Sequence, residues 1–179
     1  AHSSLIDTLK QKGLVDVYNI SYIARDKLAL VTSKNNPKIN PKLLKKGINL
    51  AEAIKVLDEI RSTLIVDEKG SSSERYSNEL IKSLPLTKGK LHIVNKLQED
   101  RASVLRSIND DPENYIIVLE SQIKNREDLK ILATNENNNI LYQALVIAGN
   151  NMGSAREFLQ FLKSKTAKSE LKKSGFITE

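Results

Sequence analysis

The chain has no cysteine and no tryptophan, one methionine, four prolines and only 4% aromatic residues. Without cysteine there is no disulfide, no thiol nucleophile and no cysteine-ligated zinc or iron–sulfur centre. The lack leaves the compartment open, because a protein outside the cytoplasm can do without cystines. Long hydrophobic runs are missing too: the longest, Tyr115 to Leu119 and Ala144 to Ala148, are about five residues each, far short of the ~20 that span a bilayer. Histidine is limited to His2 at the terminus and His92 inside an apolar run. Neither has a local partner for a triad or a metal site, and the carboxylates are scattered, so the pattern is not that of an enzyme. No basic-then-apolar leader opens the chain at Ala1, the expectation for a mature, trimmed or truncated chain.

What is present is a globular composition. The 179 residues are 40% hydrophobic and 28% charged, enough for one ordinary domain or two small lobes. A formal charge of +6, from 28 Lys and Arg against 22 Asp and Glu, favours an anionic partner. The lysines at 42, 45 and 46 and at 163, 165, 168, 172 and 173 lack interleaved aromatics. They therefore read as a solvated surface and not as a nucleic-acid groove.

Periodicity gives the order of elements. A helix opens at Ser3 or Ser4, carries Leu5, Ile6 and Leu9 on one stripe and stops at Gly13. Two β-like runs follow, Tyr18 to Ile23 and Leu28 to Thr32, separated by the polar Ala24-Arg25-Asp26. Turn residues fill Ser33 to Pro41, and Leu50, Ala53, Ile54, Leu57 and Ile60 are spaced for a helix with one buried side. Short apolar strands then alternate with helices. The strands are Thr63 to Val66, Leu91 to Val94, Tyr115 to Leu119 and Leu129 to Ala133. The helices run from about Ser72 to Leu84 and Gln98 to Ile108, with a helical turn near Gln122 to Glu127. This alternation predicts βαβ units and a parallel or mixed sheet covered on both faces. After a polar turn at Asn135 to Asn139, Leu141 to Ala148 reads as a strand. Ser154-x-x-Glu157 reads as a capping box opening a helix with Phe158, Leu159, Phe161 and Leu162 inward. A last helix runs through Leu171 to Gly175.

The segment Val66-Asp67-Glu68-Lys69-Gly70-Ser71-Ser72-Ser73-Glu74-Arg75-Tyr76 carries the most chemistry. It lies at the carboxyl end of a strand, where open α/β sheets bind ligands. Gly70 permits a tight turn, and Ser71 with Glu74 forms a second capping box. Amides of the first helical turn left uncapped can face an anion, with serine hydroxyls and Arg75 as further donors. A capped helix without a ligand fits the same residues. It is not a Walker loop, since the second glycine and the Lys-Ser/Thr pair are absent. Glu99-Asp100-Arg101 occupies the next such helix start, and Glu120-Ser121 the third.

The order of several motifs resembles that of the type-two periplasmic solute-binding proteins, nearest to the molybdate-binding component of ABC importers. The motifs are Leu9 to Leu14, Ala24-Arg25-Asp26-Lys27-Leu28-Ala29-Leu30-Val31, Asp67 through Arg75-Tyr76, and a terminal stretch from Ser154 to Ser164 followed by Leu171 to Phe176. The resemblance implies an α/β, two-lobed periplasmic-binding-protein-like clamshell with an oxyanion held between helix N-termini. Residues 28–133 would form the second lobe, including the crossing strands near Leu28 to Thr32 and Leu129 to Ala133. Residues 1–27 and 134–179 would form a partial first lobe lacking the family's opening strand-helix-strand-helix, and such a segment alone is expected to bind weakly or not at all. The family's amide-donating alanine aligns with Ser73, its tyrosine donor with Leu119, and its Asn-Val helix start with Asp100-Arg101. A lost hydroxyl donor removes one hydrogen bond, on the order of 1–3 kcal/mol. The ligand-binding set implied is Ser72, Ser73, Arg75, Asp100, Arg101 and Leu119, with no metal and no cofactor beyond a bound oxyanion such as molybdate, tungstate, sulfate or phosphate. The implied partners are that oxyanion and an importer permease, with no nucleic acid and no membrane insertion of this segment. The implied location is periplasmic or otherwise extracytoplasmic. The competing reading is a binding-protein-like sensory or protein-interaction module that has lost the transport ligand.

Overall fold

The computed structural model describes residues 3–15, 20–67, 70–87, 90–95, 101–136, 140–147, 149 and 151–178, with backbone alone at 3–5, 7, 95, 101–104 and 109. In chain order the first elements are α1 (Ser3–Gln11), β1 (Ser21–Asp26), β2 (Leu28–Ser33), α2 (Leu50–Glu59), β3 (Thr63–Val66), α3 (Ser72–Ser83) and β4 (His92–Asn95). Then come α4 (Arg101–Asp110), β5 (Tyr115–Leu119), α5 (Glu120–Ile123), β6 (Leu129–Thr134), β7 (Ile140–Ala144), α6 (Met152–Leu162) and α7 (Lys165–Lys173). The chain divides into two units, Ala1–Asp26 with Ile140–Glu179, and Lys27–Asn139.

The second unit is built on a five-stranded sheet in the order β4-β3-β5-β2-β6. β3 is parallel to β4 and β5, whereas β2 is antiparallel to both β5 and β6, so the sheet is mixed, one of the two arrangements the sequence allows. All six residues of β2 are buried, as befits a central strand with both faces covered. Successive side chains alternate between faces. Ala29, Val31, Ile65, Ile116 and Val118 join Ile108, Ile123 and Leu129 in one core cluster, while Leu28, Leu30, Leu64, Val66 and Ile117 are buried between them in sequence. Each such aliphatic side chain contributes about 1.5–3 kcal/mol through burial. α2 buries Leu50, Ala53, Ile54 and Leu57, and its start is fixed by a reciprocal box between Asn49 and Glu52.

In the first unit β1 pairs antiparallel with β7, with an irregularity between Tyr22 and Ala24. Ala24-Arg25-Asp26 therefore lies within a strand and does not separate two. The reason is long-range pairing: the Arg25 amide donates to the Ile177 carbonyl (2.7 Å), and the Ile177 amide donates back to the Arg25 carbonyl (2.9 Å). Of the first β-like run, residues 16–19 lie outside the described residues. α1 closes at Gly13 (φ 65); the Gly13 and Leu14 amides donate to the Lys10 and Leu9 carbonyls, the double bond of a Schellman turn. β7 ends at Ala144, short of the expected Ala148, and only Ile147 beyond it makes a further bridge, to Val15.

Two expectations for α6 are corrected. The helix starts at Met152 after Asn151 with no side-chain cap, so Ser154 sits inside the first turn and forms no capping box. α6 packs through Met152, Ala155, Leu159 and Leu162, buried or half-buried in a stripe at i, i+3, i+7 and i+10. Phe158 (60% exposed) and Phe161 (53%) lie on the outer flank of that stripe, stacked with ring centroids 6.3 Å apart. α7 is capped by Ser164, whose side chain accepts from the Ala167 amide.

Candidate functional site

Because β4, β3 and β5 are parallel neighbours, their carboxyl ends at Asn95, Val66 and Leu119 share one edge of the sheet. The helix after each strand begins from that edge: α3 at Ser72, α4 at Arg101 and α5 at Glu120. β2 runs the other way, with Leu28 opposite Leu119, so its start lies at the same edge. There the Glu120 amide donates to the Lys27 carbonyl (2.8 Å), the Asn135 amide donates to the Leu28 carbonyl (2.9 Å), and Lys27 Nζ lies 3.5 Å from Glu136. The starts of α3 and α4 on one sheet edge concentrate partial positive charge there, whereas at the single turn of α5 the Glu120 amide is already engaged.

The start of α3 is the part the structure defines in most detail. Gly70 holds φ 90, the left-handed region that a glycine enters without steric cost. Ser71 is the N-cap, its Oγ accepting from the Glu74 amide (3.0 Å). The capping box expected with Glu74 is displaced by one residue: Glu74 Oε2 accepts from the Gly70 amide (3.2 Å) instead of that of Ser71. Glu74 Oε1 accepts from Asn78 Nδ2 (2.6 Å). The first intrahelical bond runs from the Arg75 amide to the Ser71 carbonyl (3.2 Å), so the amides of Ser72 and Ser73 precede the helix's own ladder.

The hydroxyls are less available than the sequence implied. Ser73 is buried, its Oγ donating to Asp67 Oδ2 and lying 3.1 Å from Ser71 Oγ. Ser77 Oγ donates to the Ser73 carbonyl (2.6 Å). Of the three serines only Ser72 is exposed. Arg75 is exposed and already engaged. The Tyr76 phenol is held above its ordinary pKa by partial burial and then by Glu79, with Arg75 opposing.

Asp67 is the residue that sequence reasoning passed over. It follows the last residue of β3, is 3% exposed and puts a carboxylate beside the start of α3. An acid directly after a β-branched run and before a Gly-Ser turn was the available signal. Leu119, at the end of β5, is half-buried; its side chain offers no donor, and its amide donates to Gln122 Oε1 (2.9 Å). Arg101 is the first residue of α4, with its side chain outside the described residues, and Asp100 lies wholly outside them. The structure thus brings Ser72, Ser73, Arg75, Arg101 and Leu119 to one edge by backbone position. Among the described residues no group of acids and histidines could hold a metal ion, and no helix is long and apolar enough to cross a membrane.

Residues 1–177 match the family described as bacterial extracellular solute-binding protein. No curated protein matches the sequence. Among solved structures, the chain is similar to a substrate-binding domain ascribed to a molybdenum ABC transporter from Clostridium difficile. The TM-score is 0.69 at 19% identity, covering 100% of this chain and 75% of that one. A tungstate-binding protein from Desulfovibrio alaskensis matches at TM-score 0.64 and 12% identity, over 94% and 70% of the two chains. A phosphate transport receptor from Vibrio cholerae matches at 0.55 and 19%, over 99% and 85%. At these identities the likeness is one of fold.

Proposed function

This chain belongs to the bacterial extracellular solute-binding proteins, and from that premise we propose that it binds a small oxyanion at the carboxyl edge of its second unit and hands it to the permease of an ABC importer. The observation that carries this reading is that α3 and α4 both start at the edge formed by the carboxyl ends of three parallel strands. The Ser72 and Ser73 amides are donors that α3 itself does not use. Arg75, Asp100, Arg101 and Leu119 complete the proposed lining, Leu119 as an apolar wall, since its amide is taken by Gln122. The similar structures are those of a molybdenum transporter's substrate-binding domain, a tungstate-binding protein and a phosphate transport receptor, so a tetrahedral oxyanion is the ligand class to test. Binding and release need only hydrogen bonds and charge, with no nucleophile or proton shuttle.

Calorimetric titration with molybdate, tungstate, sulfate and phosphate tests the reading. Saturable binding of at least one is expected, weakened about tenfold in Ser72→Pro, which removes a single N–H, a loss on the order of 1–3 kcal/mol. Proline is favoured at the first helical position, and Ser71 already has the extended backbone (φ -72, ψ 158) that a following proline demands, so the helix survives. Binding by none of the four, or an unchanged Ser72→Pro, overturns the proposal.

A second reading draws on Asp67 and Glu74, whose carboxylates already take the Ser73 hydroxyl and the Gly70 amide. On that reading the fold serves as a sensory or protein-interaction module without a transport ligand. Failure of all four titrations favours it.

A further inference from the structure

The opposite, amino edge of the same sheet, where β3 begins at Thr63 and β5 at Tyr115, carries an open polar hollow of about 350 Å³. Its walls include Lys38, Arg61, Thr63, Asp111, Glu113 and Tyr115. Arg61 is the one non-glycine residue at positive φ (56) among those described. It closes α2 through a Schellman turn, the Arg61 amide donating to the Asp58 carbonyl (3.2 Å) and the Ser62 amide to that of Leu57 (3.0 Å). The same turn closes α1 at Gly13 and α7 at Gly175. Arg61 thus holds the left-handed position that glycine takes at the other two helix ends, and it lines this hollow. Backbone strain of this kind gathers at functional sites.

The charges are balanced but not all paired. Lys38 Nζ is gripped by both Glu113 oxygens, at 2.8 and 3.0 Å. Asp111 Oδ1 accepts from the Glu113 amide (3.0 Å), and among the described residues neither Asp111 nor Arg61 forms an ion pair. Arg61 and Asp111 are the cation and the carboxylate of the walls outside the Lys38–Glu113 pair, Asp111 acting on Lys38 only through its charge, in a volume near the lower end of the ~300–1,000 Å³ typical of small-molecule sites. We propose that this hollow is a second ligand site, taking a small zwitterion of amino-acid size with its carboxylate on Arg61 and its ammonium on Asp111. It stands independently of the oxyanion reading.

The test is an amide chemical-shift titration of the ¹⁵N-labelled chain with glycine and glutamine, and separately with propionate and ethylamine, which each carry one of the two charges. Saturable shifts at Thr63 and Asn114 with an amino acid are expected. Affinity should be at least tenfold lower for either single-charge analogue, and at least tenfold lower in Arg61→Gly and Asp111→Asn. Arg61→Gly installs the residue that the turn prefers, so misfolding cannot mimic the loss. No saturable shift with either amino acid, propionate or ethylamine binding as tightly as glycine, or wild-type binding by Arg61→Gly would each overturn the proposal.

Discussion

Glu74 reaches back past its own N-cap and accepts a hydrogen bond from the Gly70 amide at 3.2 Å. A carboxylate thus occupies a main-chain donor at the helix start proposed to receive an anion, and it opposes that anion by like charge.

Glu74→Gln keeps an acceptor for the Gly70 amide and deletes the charge. Oxyanion affinity should rise several-fold at low ionic strength, with the advantage shrinking as salt screens it. The loss of an acid from the first turn of α3 should cost about 0.3–1 kcal/mol of stability. Calorimetry at two salt concentrations and urea unfolding read the two effects separately.

Asp58, buried near the end of α2, accepts from the Thr87 amide (2.9 Å) and the Leu91 amide (3.2 Å). It thereby ties both ends of the connection between α3 and β4. Asp58→Ala strands two main-chain donors and is expected to destabilise by about 1–3 kcal/mol in urea unfolding. Asp58→Asn, which keeps one acceptor, should lose less.

Arg61→Gly relieves a left-handed residue at the end of α2. Removing the Cβ penalty should stabilise the protein by up to about 1 kcal/mol, whereas Arg61→Val should destabilise it. Midpoints of thermal unfolding for the pair should move in opposite directions.

Arg126 grips Asp128 through two bonds, Nε to Oδ1 (2.7 Å) and Nη2 to Oδ2 (2.6 Å), and holds the Asp128 carboxyl below its ordinary pKa. A depressed folded-state value means that the stabilisation is complete above the unfolded value, about 4, and is lost as pH falls through the folded one. The pair is exposed, so its contribution should be under about 1 kcal/mol. The stability difference between wild type and Asp128→Asn should be constant from neutral pH down to about 4 and close below it.

Local pattern was enough for the elements whose partners are close in sequence or whose apolar spacing is strict. α2, β3, β5 and the Gly13 and Gly175 stops are where spacing and turn chemistry put them. What stayed hidden depended on distant partners. Ala24-Arg25-Asp26 looks like a break because its residues are not strand formers, yet β7 and Ile177 recruit it into a strand. α6 starts at Met152 in place of Ser154 and buries the stripe through Leu159, leaving Phe158 and Phe161 outward, a choice between adjacent apolar faces that periodicity does not resolve. At the candidate site, Gly70 and the Ser71 cap were legible, whereas the capture of the Ser73 hydroxyl by Asp67 was not. Six positions separate those two residues in sequence, with the left-handed Gly70 between them, and local pattern does not say which partner the hydroxyl takes.

The placement of β2 has a consequence for synthesis. Its two neighbours, β5 and β6, leave the ribosome only near the end of the second unit, so a strand that ends up wholly buried emerges early and must wait for both. Pairings this remote in sequence close slowly. β2 therefore goes without its partners until late in synthesis, an interval in which its unpaired edges and apolar side chains favour aggregation.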